Sequence, residues 1–403
     1  MERIHVLALS FLFPNASHAG YGLFVFHRIK AVARFCAVRV IAPVQWYPLM
    51  RWLARGRDTA DVPTKESIDG IEVFHPRFFV VPRYLKWFDC VSYLWAASRV
   101  AKYLEADESF RFDLIDVHWT YPDVVAGYYL ARKRGKKFIV TVRGHEALYD
   151  REFSIRRLLV AHFLRRADHV VALSAELRER VVRLGVPEAK SSVVLNGVDV
   201  GRFHYMDRNG CRAALKLPMD SKILISVGRL TEGKGHQELV RAMPLLGARG
   251  AFALYLIGGV NREDDYTEAL RRMISELALN NVTIVDDMPQ KQLALWYGAA
   301  DVFCLASRSE GCPNVVLEAL ASGTPVVATN TGAVGEFVKP GENGFLVSGE
   351  TTLVDALKAA LERDWDRREI ASAMEGRTWR ACAESVYSLY QSTLKLRESK
   401  DTV

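Results

Sequence analysis

Short apolar runs alternate with longer stretches of helical periodicity along most of the chain. IHVLAL (4–9), VRVIAP (38–43), FDLIDVH (112–118), KFIVTV (137–142), HVVALS (169–174) and SSVVLN (191–196) each read as a buried strand. A strand covered on one face only would alternate apolar with polar residues, and these runs do not. Buried strands separated by helices are the pattern of a doubly wound parallel sheet. After a polar stretch around Asp199 to Pro218 the rhythm restarts with KILISVG (222–228), FALYLIG (252–258), NVTIVD (281–286), DVFCLAS (301–307) and TPVVAT (324–329). The pattern therefore predicts an α/β fold with two Rossmann-like units, residues 1–205 and 206–378, whose strand carboxyl ends face across one cleft. A last helical stretch, about 379–396, follows the second sheet and is expected to pack back on the first unit.

Length and composition agree with this division. A chain of 403 residues, 50% hydrophobic and 25% charged, exceeds one core and is too apolar for disorder. The charge is uneven. Residues 1–205 hold 31 Lys and Arg against 21 Asp and Glu, a net +10, while residues 206–403 hold 23 against 26, a net −3. Only the first half invites an anionic partner such as a membrane surface, nucleic acid or a phosphorylated acceptor, if the charge does more than keep the protein soluble. The six cysteines are scattered, with no C-x-x-C pair and no zinc-like spacing, which fits a reducing, cytoplasmic compartment. The first residues read as a strand rather than a signal peptide, because His5 and Ser10 interrupt the apolar run. No stretch approaches the roughly 20 apolar residues of a spanning helix, so membrane contact would be peripheral.

Two segments carry candidate chemistry. SVGRLTEGKG (226–235) puts a Gly-rich loop with Gly228, Arg229 and Lys234 between a strand and a helix starting near His236. Cations and free amides there suit a diphosphate, although a turn with solvated Arg and Lys would read the same way. SRSEGCPNVVLEALASGTPVVATNTGAVGE (307–336) is more specific. Glu310 falls in a loop after a strand, Asn314 and Val315 open a short helix, Glu318 lies about one turn inside it, and Ser322-Gly323 close it. The helix start offers amides to a sugar hydroxyl or an anion beside Glu310, and a carboxylate such as Glu318 is a good acceptor for two ribose hydroxyls. A second Gly-rich turn, Thr331 to Gly335, lets backbone approach the same place.

Over nearly its whole length the chain resembles glycosyltransferase family 4, with the GT-B fold of two Rossmann-like domains, and in particular enzymes of polysaccharide or teichuronic-acid-type biosynthesis. The strongest match is the E-x7-E element, Glu310 to Glu318. The resemblance implies that Glu318 holds the donor ribose, that Glu310 meets the donor sugar near its reacting face, and that Arg229 and Lys234 neutralise the diphosphate. It also implies that backbone around Gly311, Cys312, Pro313, Asn314 and Val315 binds sugar hydroxyls. FPNASHAGYGLFVFHRIKAVA (13–33) is similar to the family's first Gly-rich loop, which points to Gly20 and Gly22 beside the donor phosphate and acceptor. TVRGHEALYD (141–150) resembles the segment with the family's active-site histidine, here His145; without the family, that residue reads as a satisfied structural histidine. DVHWTYPDV (116–124) is similar to a segment near the acceptor, which makes His118 and Asp123 weaker candidates. One departure is Asp286-Asp287-Met288-Pro289, where members often carry a glycine and where the donor base usually lies; taken alone, the acidic pair reads as surface residues.

The activity so implied is retaining transfer of a hexose-type sugar from a nucleoside diphosphate, UDP favoured over GDP, to a glycan or lipid-linked acceptor. No metal and no other cofactor is called for, since no D-x-D element occupies a suitable loop. The route implied is attack by the acceptor hydroxyl on the face of the leaving group. Alternatives are a sugar-nucleotide epimerase of the same fold, a phosphorylase, or a non-catalytic glycosyltransferase-like subunit. Nucleic acid is excluded as a partner because no nucleic-acid module accompanies the charge. VQWYPLMRWLARGR (44–57) and VPRYLKWFDCVSYLWAASRVAKYL (81–104) are rich in aromatic and basic residues. In the second, Tyr84, Phe88, Val91 and Trp95 fall at helical spacing, either as a helix covering the first sheet or as an interfacial site for a lipid-carried acceptor.

Overall fold

A computed structural model describes residues 3–47, 61–81, 85–107, 110–144, 148, 154–246, 252–259, 265–349 and 351–398, with side chains to residue 395. His145, Tyr84 and most of 44–57 lie outside these residues. The chain forms two compact units, residues 1–196 with 379–403, and residues 197–378.

The first unit holds β1 (His5–Leu9), β2 (Ala37–Ile41), β3 (Val44–Trp46), β4 (Lys65–Ile68), β5 (Ile71–Phe74), β6 (Arg77–Phe79), β7 (Leu114–Val117), β8 (Lys137–Val142), β9 (His169–Ala172) and β10 (Ser191–Val193). Its main sheet runs β10-β9-β8-β7-β1-β2-β5-β4, parallel except where β4 turns back on β5, and β3 and β6 form a separate parallel pair. β1 is central because each of its residues is buried or nearly so and it pairs on both sides, with β2 and β7. The helix Trp379–Glu398 belongs to this unit. Its Cys382, Ala383, Val386 and Tyr390 pack with Val6, Leu114, Ile139 and Val171 from the sheet.

The second unit holds β11 (Lys222–Val227), β12 (Phe252–Ile257), β13 (Val282–Val285), β14 (Val302–Leu305), β15 (Val326–Thr329) and β16 (Gly344–Val347), all parallel in the order β13-β12-β11-β14-β15-β16. Chain order reverses between β11 and β14. Loops leaving those two strands diverge to opposite faces and open a crevice at their carboxyl ends, where ligands of such sheets bind.

Among the described residues, five strands escape the apolar pattern: β3, β4, β5, β6 and β16. Each is three or four residues long, and β4 and β16 are edge strands of their sheets. A short edge strand gains from one neighbour only, so it needs little apolar sequence of its own.

Candidate active site

In the second unit, the loops after β11 and β14 meet at the switch point. Gly235 makes this possible: it has φ +72°, and a β-carbon on it would lie 1.9 Å from the carbonyl oxygen of Ala306. Only glycine can bring the first loop that close to the end of β14. The amide of Arg308 then donates to Gly233 O at 3.0 Å, and Lys234 Nζ donates to Glu310 Oε1 at 2.6 Å. Gly332, with φ +59°, does the same for the turn after β15. A β-carbon there would sit 2.3 Å from Glu310 O, and the amide of Ala333 donates to Gly311 O at 2.8 Å.

Glu310 is buried, Lys234 keeps about a quarter of its side chain in solvent (27%), and Arg229 is exposed. Behind them lies His236, buried, with Nε2 3.3 Å from the carbonyl oxygen of Arg229. Burial pushes its pKa down to about 4, so the ring is neutral and Nε2–H donates to that carbonyl.

The helix Asn314–Ala321 starts after Pro313, which as N-cap has no side-chain oxygen to offer, and ends at Gly323 with φ +74°. The first amides of a helix have no acceptor one turn back within it, and here the Val316 amide donates to the Pro313 carbonyl at 3.1 Å. Glu318, one turn in, is buried and accepts from the Tyr297 hydroxyl at 3.0 Å through Oε2. Its Oε1 has no hydrogen-bond partner among the described residues. Burial raises the Glu318 pKa to about 7 against the opposing Tyr297 hydrogen bond and the charge of Arg202. Tyr297 lies on the helix Gln290–Ala299, and one turn earlier on that helix is Leu293. Leu293 lines a pocket of about 370 Å³ with Val227, Ile257 and Met288 as further apolar walls, the backbone of Gly228, Gly258 and Gly259, and Arg229 and Asp287.

The structure thus gathers Gly228, Arg229, Lys234, Glu310, Gly311, Cys312, Pro313, Asn314, Val315 and Glu318 around the carboxyl ends of one sheet. The sequence did not single out Tyr297, which stands 21 positions from its partner, and it marked Asp287 only as part of the Asp286–Pro289 departure. A signal for Asp287 is its place in the polar loop directly after β13, at a strand carboxyl end of the second sheet.

Gly20, Gly22, His118 and Asp123 lie in the first unit. Gly22 precedes the helix Leu23–Val32 with φ +67°, and a β-carbon there would meet the Leu12 carbonyl at 2.5 Å, whereas one on Gly20 would meet open space. Asp123 opens the helix Asp123–Arg134 at the switch point of this sheet. It is buried and accepts from the Phe11 amide at 2.7 Å and the Tyr93 hydroxyl at 2.5 Å. Burial, opposed by those bonds, raises its pKa to about 7. His118 is equally buried: Nδ1 accepts from Arg143 Nη2 at 2.7 Å, while Nε2 lies 2.9 Å from Asp116 Oδ2. Since a guanidinium only donates, Nδ1 carries a lone pair and the proton sits on Nε2, facing Asp116. The Tyr390 hydroxyl donates to the same carboxylate. Burial lowers the His118 pKa despite Asp116, which keeps the ring neutral.

Comparison with known proteins bears on this arrangement. Residues 207–376 match the family described as glycosyl transferases group 1, and residues 51–202 match glycosyltransferase family 4. The D-inositol 3-phosphate glycosyltransferase of Nocardia farcinica is 30% identical over 352 residues, 84% of this chain and 73% of that protein. TuaC of Bacillus subtilis, a glycosyltransferase provisionally assigned to teichuronic acid biosynthesis, is 27% identical over 82% of each chain. Among solved structures, sucrose-phosphate synthase from Thermosynechococcus elongatus superposes with a TM-score of 0.76 at 22% identity, covering 97% of this chain and 100% of that one. Anabaena HepE, in complex with UDP and glucose, gives 0.70 at 20% identity over 96% and 100%. These two likenesses concern the fold, which is of the GT-B type. With its switch-point carboxylates in the second unit and both family matches in chain order, this chain belongs to glycosyltransferase family 4 and is a glycosyltransferase.

Proposed function

We propose that the protein transfers a hexose-type sugar from a nucleoside diphosphate to a glycan or lipid-linked acceptor of surface-glycan synthesis, with retention and without a metal ion. The observation that carries this reading is the Lys234–Glu310 contact of 2.6 Å at the switch point, beside the start of the helix that carries Glu318. Glu318 Oε1 accepts the ribose hydroxyls, and Arg229 and Lys234 meet the diphosphate. As the bond from the anomeric carbon to the phosphate oxygen breaks, charge grows on the diphosphate, so these cations act most strongly in the transition state. The acceptor oxygen bonds to the anomeric carbon on the same face and passes its proton to a phosphate oxygen of the leaving group. Glu310, next to Lys234, faces the sugar, and the amides around Gly311 to Val315 bind its hydroxyls.

The test is incubation with a panel of nucleoside diphosphate sugars, chelator present and acceptor absent, following slow release of nucleoside diphosphate. One donor is hydrolysed with its anomeric form retained. Lys234→Met lowers the rate on the order of 100-fold, the scale of losing one group that stabilises transition-state charge, and Glu318→Ala abolishes it. Return of an isomerised sugar nucleotide favours the epimerase instead, and no turnover with any donor favours a non-catalytic subunit.

A lipid-carried acceptor on the cytoplasmic face of a membrane is supported by the first unit. The helix Asp89–Glu105 buries Cys90, Tyr93, Ala96, Ala97, Ala101 and Leu104 against it and turns Val91 and Trp95 outward, the latter 61% exposed, beside exposed Trp87 and Phe88. The Arg99 guanidinium lies 4.9 Å from the Trp95 ring. No helix among the described residues is long and apolar enough to span a bilayer. Aromatics beside cations on a basic unit suit the interface. The protein should sediment with anionic vesicles at low salt and leave them at high salt; equal solubility at both discards this part.

A further inference from the structure

We propose that the pocket at the ends of β11, β12 and β13 takes guanine, and that Asp287 selects it. The inference rests on the reading above that a nucleoside diphosphate sugar lies along the second unit, and it names the base. It departs from the uridine donor that the family resemblance favours.

The pocket's place fits a base. It shares Gly228 and Arg229 with the loop that leads to Lys234, and Leu293 stands one helical turn from Tyr297, the partner of Glu318. A nucleotide with its ribose at Glu318 and its diphosphate at Arg229 and Lys234 therefore has its base toward this wall. Val227, Ile257, Met288 and Leu293 offer apolar surface to the faces of a flat ring. Its edge meets Asp287. That side chain lies against Gly259, where a β-carbon would come within 3.1 Å of Cγ, so the missing side chain at 259 is what lets the carboxylate lie along the pocket. Among the described residues the carboxylate has no hydrogen bond and no ion pair.

An ionised carboxylate only accepts, and it accepts through two oxygens side by side. Guanine presents two adjacent donors, N1–H and the 2-amino group, which match both oxygens in a charge-assisted pair. Uracil presents one N–H between two carbonyls, so the second oxygen would face a lone pair. Adenine has an amino group next to a ring acceptor and fails in the same way. A polar group left mismatched against a base is what rejects it.

Calorimetric titration of the full chain with GDP, UDP, ADP and xanthosine diphosphate tests this. Wild type binds GDP more tightly than UDP or ADP by about 10- to 100-fold, the scale of a bidentate contact to a base. Asp287→Asn replaces one acceptor oxygen with a donor, so GDP weakens and xanthosine diphosphate, with a carbonyl in place of the 2-amino group, gains. Asp287→Ala weakens GDP with no gain for the xanthine nucleotide. UDP or ADP binding tightest to wild type overturns the proposal and leaves the glycosyltransferase reading intact, as does equal weakening of every nucleotide by Asp287→Asn, which a purely structural residue would produce. Binding of no nucleoside diphosphate removes both.

Discussion

The two units answer the same topology with opposite uses of charge. Both are doubly wound sheets, and both place acidic residues at or just after the strands that flank the switch point. In the first unit these groups turn inward. Asp116, His118, Arg143 and Tyr390 form one buried cluster that joins β7, β8 and the chain's last helix, and Asp123 holds the loop after β1 by the Phe11 amide. In the second unit the pairing is partial and open. Lys234 is partly in solvent while bonded to Glu310, and Glu318 gives one oxygen to Tyr297 and keeps the other. A buried charge whose neighbours are all protein is a joint. One with an oxygen to spare at the mouth of a sheet is a place for a ligand.

The sharpest way to break this comparison is Asp116→Ala. Burial alone would raise the Asp116 pKa, but His118, the Tyr390 hydroxyl and Arg143 outweigh it and hold the carboxyl below its usual value, so it is ionised. Removing it leaves the Tyr390 hydroxyl and His118 Nε2–H without the carboxylate they face, and a buried donor left without its acceptor costs about 1–3 kcal/mol. Denaturant titration should show the first unit unfolding earlier by that amount while the second keeps its midpoint. A loss below about 1 kcal/mol, the range of an exposed ion pair, would mean the cluster does not hold the last helix.

How much of this was legible beforehand follows from distance along the chain. Long buried strands announce themselves locally, and so do Glu310, Glu318 and Lys234, because a Gly-rich loop and a short helix fix their setting within a few residues. The first unit's cluster does not, since Tyr390 and Asp116 are 274 positions apart and each alone looks like an ordinary core or strand residue. The helix 89–105 was read as either a cover for the sheet or an interfacial face. It is amphipathic in both directions, covering with its small residues and presenting its aromatics. Asp287, taken alone, reads as a surface residue, and it is exposed. What periodicity could not give is the wall of glycine and apolar residues from three other segments that turns that exposed carboxylate toward a pocket.

A smaller effect bears on the second unit's half-paired state. Glu318 has a folded pKa of about 7 against an ordinary 4.5, with burial as the main cause. The unfolded chain therefore releases this proton first as pH rises. The stability Glu318 contributes is full below about 4.5 and is lost progressively up to about 7, beyond which it is constant. Ligand binding runs the other way. An ionised carboxylate is the better acceptor for ribose hydroxyls, and near pH 6 most of the free protein must give up a proton to provide it. Affinity for the preferred nucleoside diphosphate should thus rise about tenfold between pH 6 and 8, one pKa unit being a factor of ten. The phosphate itself titrates in this range, so the informative quantity is the difference from Glu318→Gln, whose neutral amide cannot release the proton. If the two proteins give parallel pH curves, Glu318 is a partner of Tyr297 only, and the second unit handles that carboxylate as the first unit handles Asp116.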